Sequence, residues 1–235
     1  MIKELLIITL LLFSACSNEI KYDLNGKKLI EEKCASCHNL DLPPKTFKDE
    51  VAPPMMAISF HIAGFMQTPD ESMRIPKAIE FVKDYVIYPN ASKSFCDKKS
   101  LEDYGVMPSQ KGKVTEDELD AIAKYMFKHF TQENLNRAQK LINDFNKMPK
   151  GEQLARKNNC LNCHKVDNDT VGPSLKKIAL KYKNNQAVVS HSIIHGSRDV
   201  WKSSKGAVMP SFRKLSKEDI KTLSGWILSF DSDYR

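Results

Sequence analysis

The chain has 235 residues, with 36 Lys and Arg against 29 Asp and Glu, a formal charge of +7. Its 41% apolar and 28% charged residues, with 11 Phe, 7 Tyr and 2 Trp, exclude intrinsic disorder. Nine Gly and 11 Pro exclude collagen-like and low-complexity chains, and the clustering of six Cys in so long a chain excludes a small disulfide framework.

In chain order, Met1 to Glu4 form a charged start, Leu5 to Phe13 an apolar run, and Ser14-Ala15-Cys16 a junction of small residues. That order reads as an export signal, and the run falls short of the roughly 20 residues that span a bilayer. The arrangement Phe13-Ser14-Ala15-Cys16 resembles a bacterial lipoprotein signal. The resemblance implies a signal peptide over 1–15, lipidation of Cys16, and attachment to a membrane surface rather than passage through it. By analogy with bacterial lipoproteins, Ser17 argues against inner-membrane retention and favours the outer membrane. No second long apolar stretch follows.

A short helix with Leu29 and Ile30 then leads to Cys34-Ala35-Ser36-Cys37-His38. Next come the Pro segment Ala52-Pro53-Pro54-Met55, an apolar run around His61, a loop with Cys96, and Gly105-Val106-Met107-Pro108. Thr115-Glu116-Asp117-Glu118 is an N-cap signature with Glu at the capping-box position. Leu119, Ile122, Tyr125 and Met126 follow at helical spacing. Residues 131–149 keep a helical stripe of Leu135, Ala138, Leu141, Ile142 and Phe145, ended by Met148-Pro149, and read as a helical linker.

The whole order then recurs. A helix with Leu154 precedes Cys160-Leu161-Asn162-Cys163-His164, and Gly172-Pro173-Ser174-Leu175 and Ala207-Val208-Met209-Pro210 follow. Ser216-Lys217-Glu218-Asp219 caps a last helix with Ile220, Leu223, Trp226 and Ile227 on its face. No useful β alternation appears, so the fold class is all-α. The divisions are a signal peptide over 1–15, a first domain over 16–130, the linker over 131–149 and a second domain over 150–235.

Two C-x-x-C-H motifs are a specific signal, since this composition yields roughly 0.004 by chance. Two thiols three residues apart can add across the two vinyl groups of one haem, and the adjacent His then reaches the iron. A thioredoxin-like pair needs a βαβ context that is absent. A four-Cys zinc site has its pairs far closer than Cys37 and Cys160. Disulfides within each pair give no role to His38 and His164. The residues therefore imply two covalently bound haem c groups, through Cys34, Cys37 and His38 and through Cys160, Cys163 and His164.

Met107 and Met209 are the expected sixth ligands, because both recur before a Pro at matching places in the repeat. A thioether stabilises Fe(II) and raises the potential. In the first domain Met55, Met56, His61 and the thiol of Cys96 compete with Met107.

The second half, with Cys160 to His164, Val171 to Leu175, Ile194 to Trp201, Val208-Met209-Pro210 and Trp226, resembles the small bacterial class I cytochromes c. That resemblance implies that the Pro173 carbonyl bonds the proximal His and that the Trp201 indole reaches a haem propionate. It also implies that Met209 ligates iron and that Trp226 packs where the terminal helices cross. The first half is similar but more divergent. Pro53 matches Pro173 and Tyr125 matches Trp226; Gly196-Ser197 and Trp201 have no counterpart, and its His-to-Met stretch is 24 residues longer. The implied architecture is two tandem class I cytochrome c-type domains, each wrapped around a covalent haem, as in exported dihaem cytochromes c.

A His imidazole and a Met thioether on each iron leave no vacant site, so the expected activity is electron transfer rather than catalysis. A haem oxidoreductase, thiosulfate-dehydrogenase-like or peroxidase-like with a catalytic first haem, is the alternative. Four propionates would reduce +7 to about +3 with both irons ferrous. The expected partners are periplasmic or membrane redox proteins, with Lys176, Lys177, Lys181 and Lys183 placed to steer an acidic one, and no nucleic acid.

Overall fold

The computed structural model describes residues 24–45, 49–183, 185–201 and 206–234. The signal peptide and Cys16 lie outside the described residues. Among those described, all regular elements are helical, with β structure confined to three isolated bridges. No helix among them is long and apolar enough to cross a membrane. The chain divides into two compact units, the first ending at Leu135 and the second beginning at Asn136.

The first unit contains α1 (Gly26–Lys33), α2 (Met55–Phe65), α3 (Arg74–Ile87), α4 (Lys98–Tyr104) and α5 (Glu116–His129). Asn25 caps α1 by accepting from the Lys28 N–H at 3.0 Å. Thr115 and Glu118 form the expected capping box on α5, at 3.2 Å and 2.8 Å. The buried face of α5 is Leu119, Ile122, Ala123, Met126 and Phe127, packed against α1 and α3. Where α1 crosses α5 the backbones nearly touch: a Cβ on Gly26 would lie 2.3 Å from the Ala121 carbonyl oxygen. Only glycine fits there.

The long stretch between His38 and Met107 is not an open loop. It holds α2, α3 and α4, with Ala78 and Val82 of α3 buried one helical turn apart and α3 packed on α5. Phe95 closes this side, its ring centroid 4.7 Å from that of Phe81 and 6.3 Å from that of Phe65.

Helix α6 (Gln132–Lys147) crosses the junction between units and buries none of its residues. The second unit continues with α7 (Lys150–Lys157), α8 (Cys160–Cys163), α9 (Leu175–Lys181), α10 (Gln186–His195) and α11 (Lys217–Leu228). Leu154 is only half-buried; Gln153 and Ala155 are the buried residues beside it. The Gln153 amide donates to the carbonyls of Asn146 and Met148 at 3.2 Å and 2.8 Å, satisfying the open end of α6. Ile220, Leu223 and Ile227 of α11 join Ala155, Leu175, Val189 and Ile193 in the core. Gly151 repeats the role of Gly26, since a Cβ there would lie 2.0 Å from the Trp226 Cβ.

Candidate functional site

The C-x-x-C-H segment is built the same way in both units. In the first, the His38 N–H donates to the Cys34 carbonyl at 2.9 Å; in the second, the His164 N–H donates to the Cys160 carbonyl at 2.9 Å. This single helical turn brings two thiols and an imidazole together directly after the crossing helix. The loop behind each His is tied by a second matching bond, Met55 N–H to Asn39 carbonyl and Leu175 N–H to Lys165 carbonyl, both 2.9 Å.

Each imidazole is then oriented by a proline carbonyl. His38 Nδ1 lies 2.9 Å from the Pro53 oxygen and His164 Nδ1 lies 2.8 Å from the Pro173 oxygen. A carbonyl only accepts, so Nδ1–H donates and Nε2 keeps its lone pair free to bind a metal. Burial lowers the His38 pKa, only partly offset by the Pro53 bond, which keeps the ring neutral. Gly172 leaves a bare α-carbon against the second imidazole: a Cβ would sit 2.5 Å from His164 Cε1.

The thiols differ in setting. Burial pushes Cys34 up to about 11, and neighbouring Cys37 adds to the shift. Burial raises Cys160 as well, opposed by its backbone hydrogen bond and reinforced by Cys163. Cys37 is exposed. Among the described residues none of the five cysteines is in a disulfide.

In the second unit a cavity of about 380 Å³ collects Cys160, Cys163, His164, Pro173, Trp201 and Met209 on its wall, with Leu175, Ile193, Leu223 and Ile227 supplying apolar surface. Met209 is held by a two-way backbone bridge to Ser197, with N–H to carbonyl distances of 2.9 Å and 3.3 Å. Ser197 Oγ also lies 3.9 Å from the Met209 sulfur. Gly196 at φ +77° makes this approach possible, since a Cβ would be 2.5 Å from the Met209 carbonyl oxygen. Trp201 carries the Lys181 ammonium 4.3 Å above its ring and meets Tyr182 edge-on at 6.1 Å. These residues fit a covalent haem: two thiols, one oriented imidazole and one thioether line a single apolar space.

The first unit joins Cys34, Cys37, His38 and Pro53 in the same way but anchors Met107 differently. The Met107 loop is pinned to the end of α3, with Ser109 Oγ donating to the Ile87 carbonyl at 2.6 Å and the Gln110 N–H to the Val86 carbonyl at 3.0 Å. Met107 is half-buried. Of its rivals, Met55 and Met56 are core residues at 5% and 3% exposure. His61 is exposed on α2 and meets Phe65 edge-on at 5.6 Å. Cys96 is half-buried, its N–H bonded to Ser94 Oγ at 3.0 Å. A separate cavity of about 450 Å³ at the α1–α5 crossing is lined by Lys27, Tyr125 and His129 among others and includes none of the expected haem ligands.

Comparison with known proteins decides the kinship. The Cytochrome c family model matches two stretches, residues 24–129 and 148–231. The chain belongs to the cytochrome c family. It is 41% identical over 80 residues to cytochrome c-552 of Nitrosomonas europaea, covering 32% of this chain and 74% of that protein. Cytochrome c-551 of Pseudomonas denitrificans is 34% identical over 82 residues, covering 34% of this chain and 95% of that protein. The crystal structure of Nitrosomonas europaea cytochrome c552 matches at 38% identity and a TM-score of 0.31, covering 34% of this chain and 99% of that one. Membership implies covalently bound haem c and haem-based electron transfer.

The crossing glycines, Gly26 and Gly151, and the α6 anchor Gln153 were not legible as site-supporting residues from sequence alone. For the glycines a signal existed: laid over one another, the two halves place a Gly eight or nine positions before the first Cys of each motif.

Proposed function

We propose that this chain is an exported, membrane-anchored dihaem cytochrome c that carries electrons on the periplasmic side. The observation that carries the reading is the second unit's cavity, where Cys160, Cys163, His164 and Met209 share one apolar wall. The matching turn and proline contact at Cys34, Cys37 and His38 support a second haem. When bound, haem supplies a one-electron Fe(III)/Fe(II) couple.

The residues do the rest. Cys34, Cys37, Cys160 and Cys163 hold by thioether bonds. His38 and His164 present Nε2 because Pro53 and Pro173 take Nδ1–H. Met209, fixed by Ser197 and Gly196, closes the second site, and Met107, fixed through Ser109 and Gln110, closes the first. Trp201 lies on the cavity wall, its indole N–H the donor for a propionate. His and Met together would hold the iron of each haem and leave substrate no place on it, which favours a carrier over an oxidoreductase. Cys16 carries the lipid anchor, and the partners are periplasmic or membrane redox proteins.

The test is spectroscopic. The mass of the exported protein should exceed the polypeptide by two haems, and one should be lost in Cys34→Ala/Cys37→Ala. Both ferric haems should show Met-to-iron charge-transfer bands, absent one at a time in Met107→Ala and Met209→Ala, and the reduced protein should bind no carbon monoxide. A high-spin first haem, or a first-haem spectrum altered by Cys96→Ala, would overturn the carrier reading in favour of the oxidoreductase. Cys16→Ala should release the protein from membranes.

A further inference from the structure

Four of the six histidines take no part in the haem sites as proposed, and two of these stand side by side. His191 and His195 lie one turn apart on α10, a relation that puts both side chains on one helix face. Their ring centroids are 4.4 Å apart, with planes inclined at 38°. Both are exposed, while Val189 and Ile193 on the opposite face are buried at 4% and 3%. Neither imidazole lines the haem cavity, although Ser192 and Ile193 between them do. Among the described residues no hydrogen bond or ion pair engages either ring, so the ring nitrogens of both are free for another partner.

We propose that His191 and His195 chelate one divalent cation of the imidazole-preferring class, such as Zn(II). Imidazole nitrogen suits Zn, Cu and Ni and does not suit the hard cations Ca and Mg, which need oxygen ligands. The buried half of α10 fixes the helix, so the two donors are held together before the ion arrives and little ordering is left for binding. His195 is the last residue of α10, where the helix dipole is negative and favours a cation. Two protein ligands leave the remaining positions to water, which makes the site open and exchangeable. The proposal stands independently of which residue closes either haem.

The test is calorimetric titration of tag-free, full-length holoprotein with Zn(II), the iron kept ferric throughout. One Zn(II) per chain is expected, with affinity falling at least tenfold in His191→Gln and, separately, in His195→Gln. Both residues are exposed and outside the core, so the haem absorption spectrum should stay unchanged and show that the variants fold. His129→Gln should leave binding intact. Absence of Zn(II) binding, binding that survives either single substitution, or binding lost only in His129→Gln would each overturn the proposal.

Discussion

Gly172 shows how little room the second site leaves at a single residue. A methyl group there would enter the space of His164 Cε1, so either the imidazole turns or the loop behind it moves. Gly172→Ala should cost about 1–3 kcal/mol of stability through this overpacking, read as a lower denaturant midpoint with a perturbed haem spectrum. An unchanged midpoint and spectrum would show that the loop yields freely. His129 offers a pH test in the first unit. Its ring stacks on Tyr125 at 4.9 Å, and burial, then the charge of Lys27, lower its pKa. The unfolded chain therefore binds its proton more readily than the folded one. Stability from this residue is present above the ordinary imidazole value near 6.5 and lost as pH falls below it. Unfolding measured between about pH 7 and 5 should show a smaller pH slope in His129→Gln; an equal slope would remove His129 from the account. At this scale the thiols and both C-x-x-C-H imidazoles were legible, because covalent chemistry dictates their spacing, and the two prolines were legible through the family resemblance. The glycines were not, because what they do is leave space, and only the opposing helix shows the space is needed.

At the level of elements, the terminal helices were readable and the middle ones were not. Thr115 and Ser216 announce α5 and α11 with cap residues, and the apolar faces after them repeat at helical spacing. Each cap should be worth about 1 kcal/mol, so Thr115→Ala and Ser216→Ala should each lower stability by that amount in denaturant titrations. No shift in either would mean that packing alone sets these helix starts. By contrast α2 is apolar nearly all round, which erases the periodic signal. α3 contains Pro76, which reads as a breaker until it is seen to occupy the first turn, where proline is tolerated. These two helices, with α4, lie within the longer stretch between His38 and Met107.

For the whole molecule, charge is divided unevenly. Residues 136–235 hold 19 Lys and Arg against 9 Asp and Glu, a net +10, whereas residues 24–135 hold 15 against 17, a net −2. The +7 of the full chain conceals this split. Three of the four lysines placed to steer a partner are paired: Lys176 with Asp167 at 2.7 Å, Lys177 with Asp169 at 2.7 Å and Lys183 with Asp231 at 2.8 Å. Lys181 instead covers Trp201 at the cavity. Attraction of an acidic redox partner should therefore belong to the second unit as a whole. Electron-transfer rates with such a partner should fall as salt rises and the Debye length shrinks below about 10 Å. Lys181→Glu with Lys214→Glu should flatten that dependence, and Lys111→Glu with Lys128→Glu should not. Equal effects from both pairs would mean that the net charge alone matters.

The helix crossings at Gly26 and Gly151 also carry a timetable. Each pairs the segment just ahead of a C-x-x-C-H motif with the last helix of its own unit, so the contact is non-local in sequence. During synthesis the thiols emerge first and the closing helix last. Until α5 follows Cys34 and Cys37, or α11 follows Cys160 and Cys163, neither pair is shut in by its native neighbours. On the proposed dihaem reading, each unit would thus have an interval for covalent attachment that ends when its final helix docks.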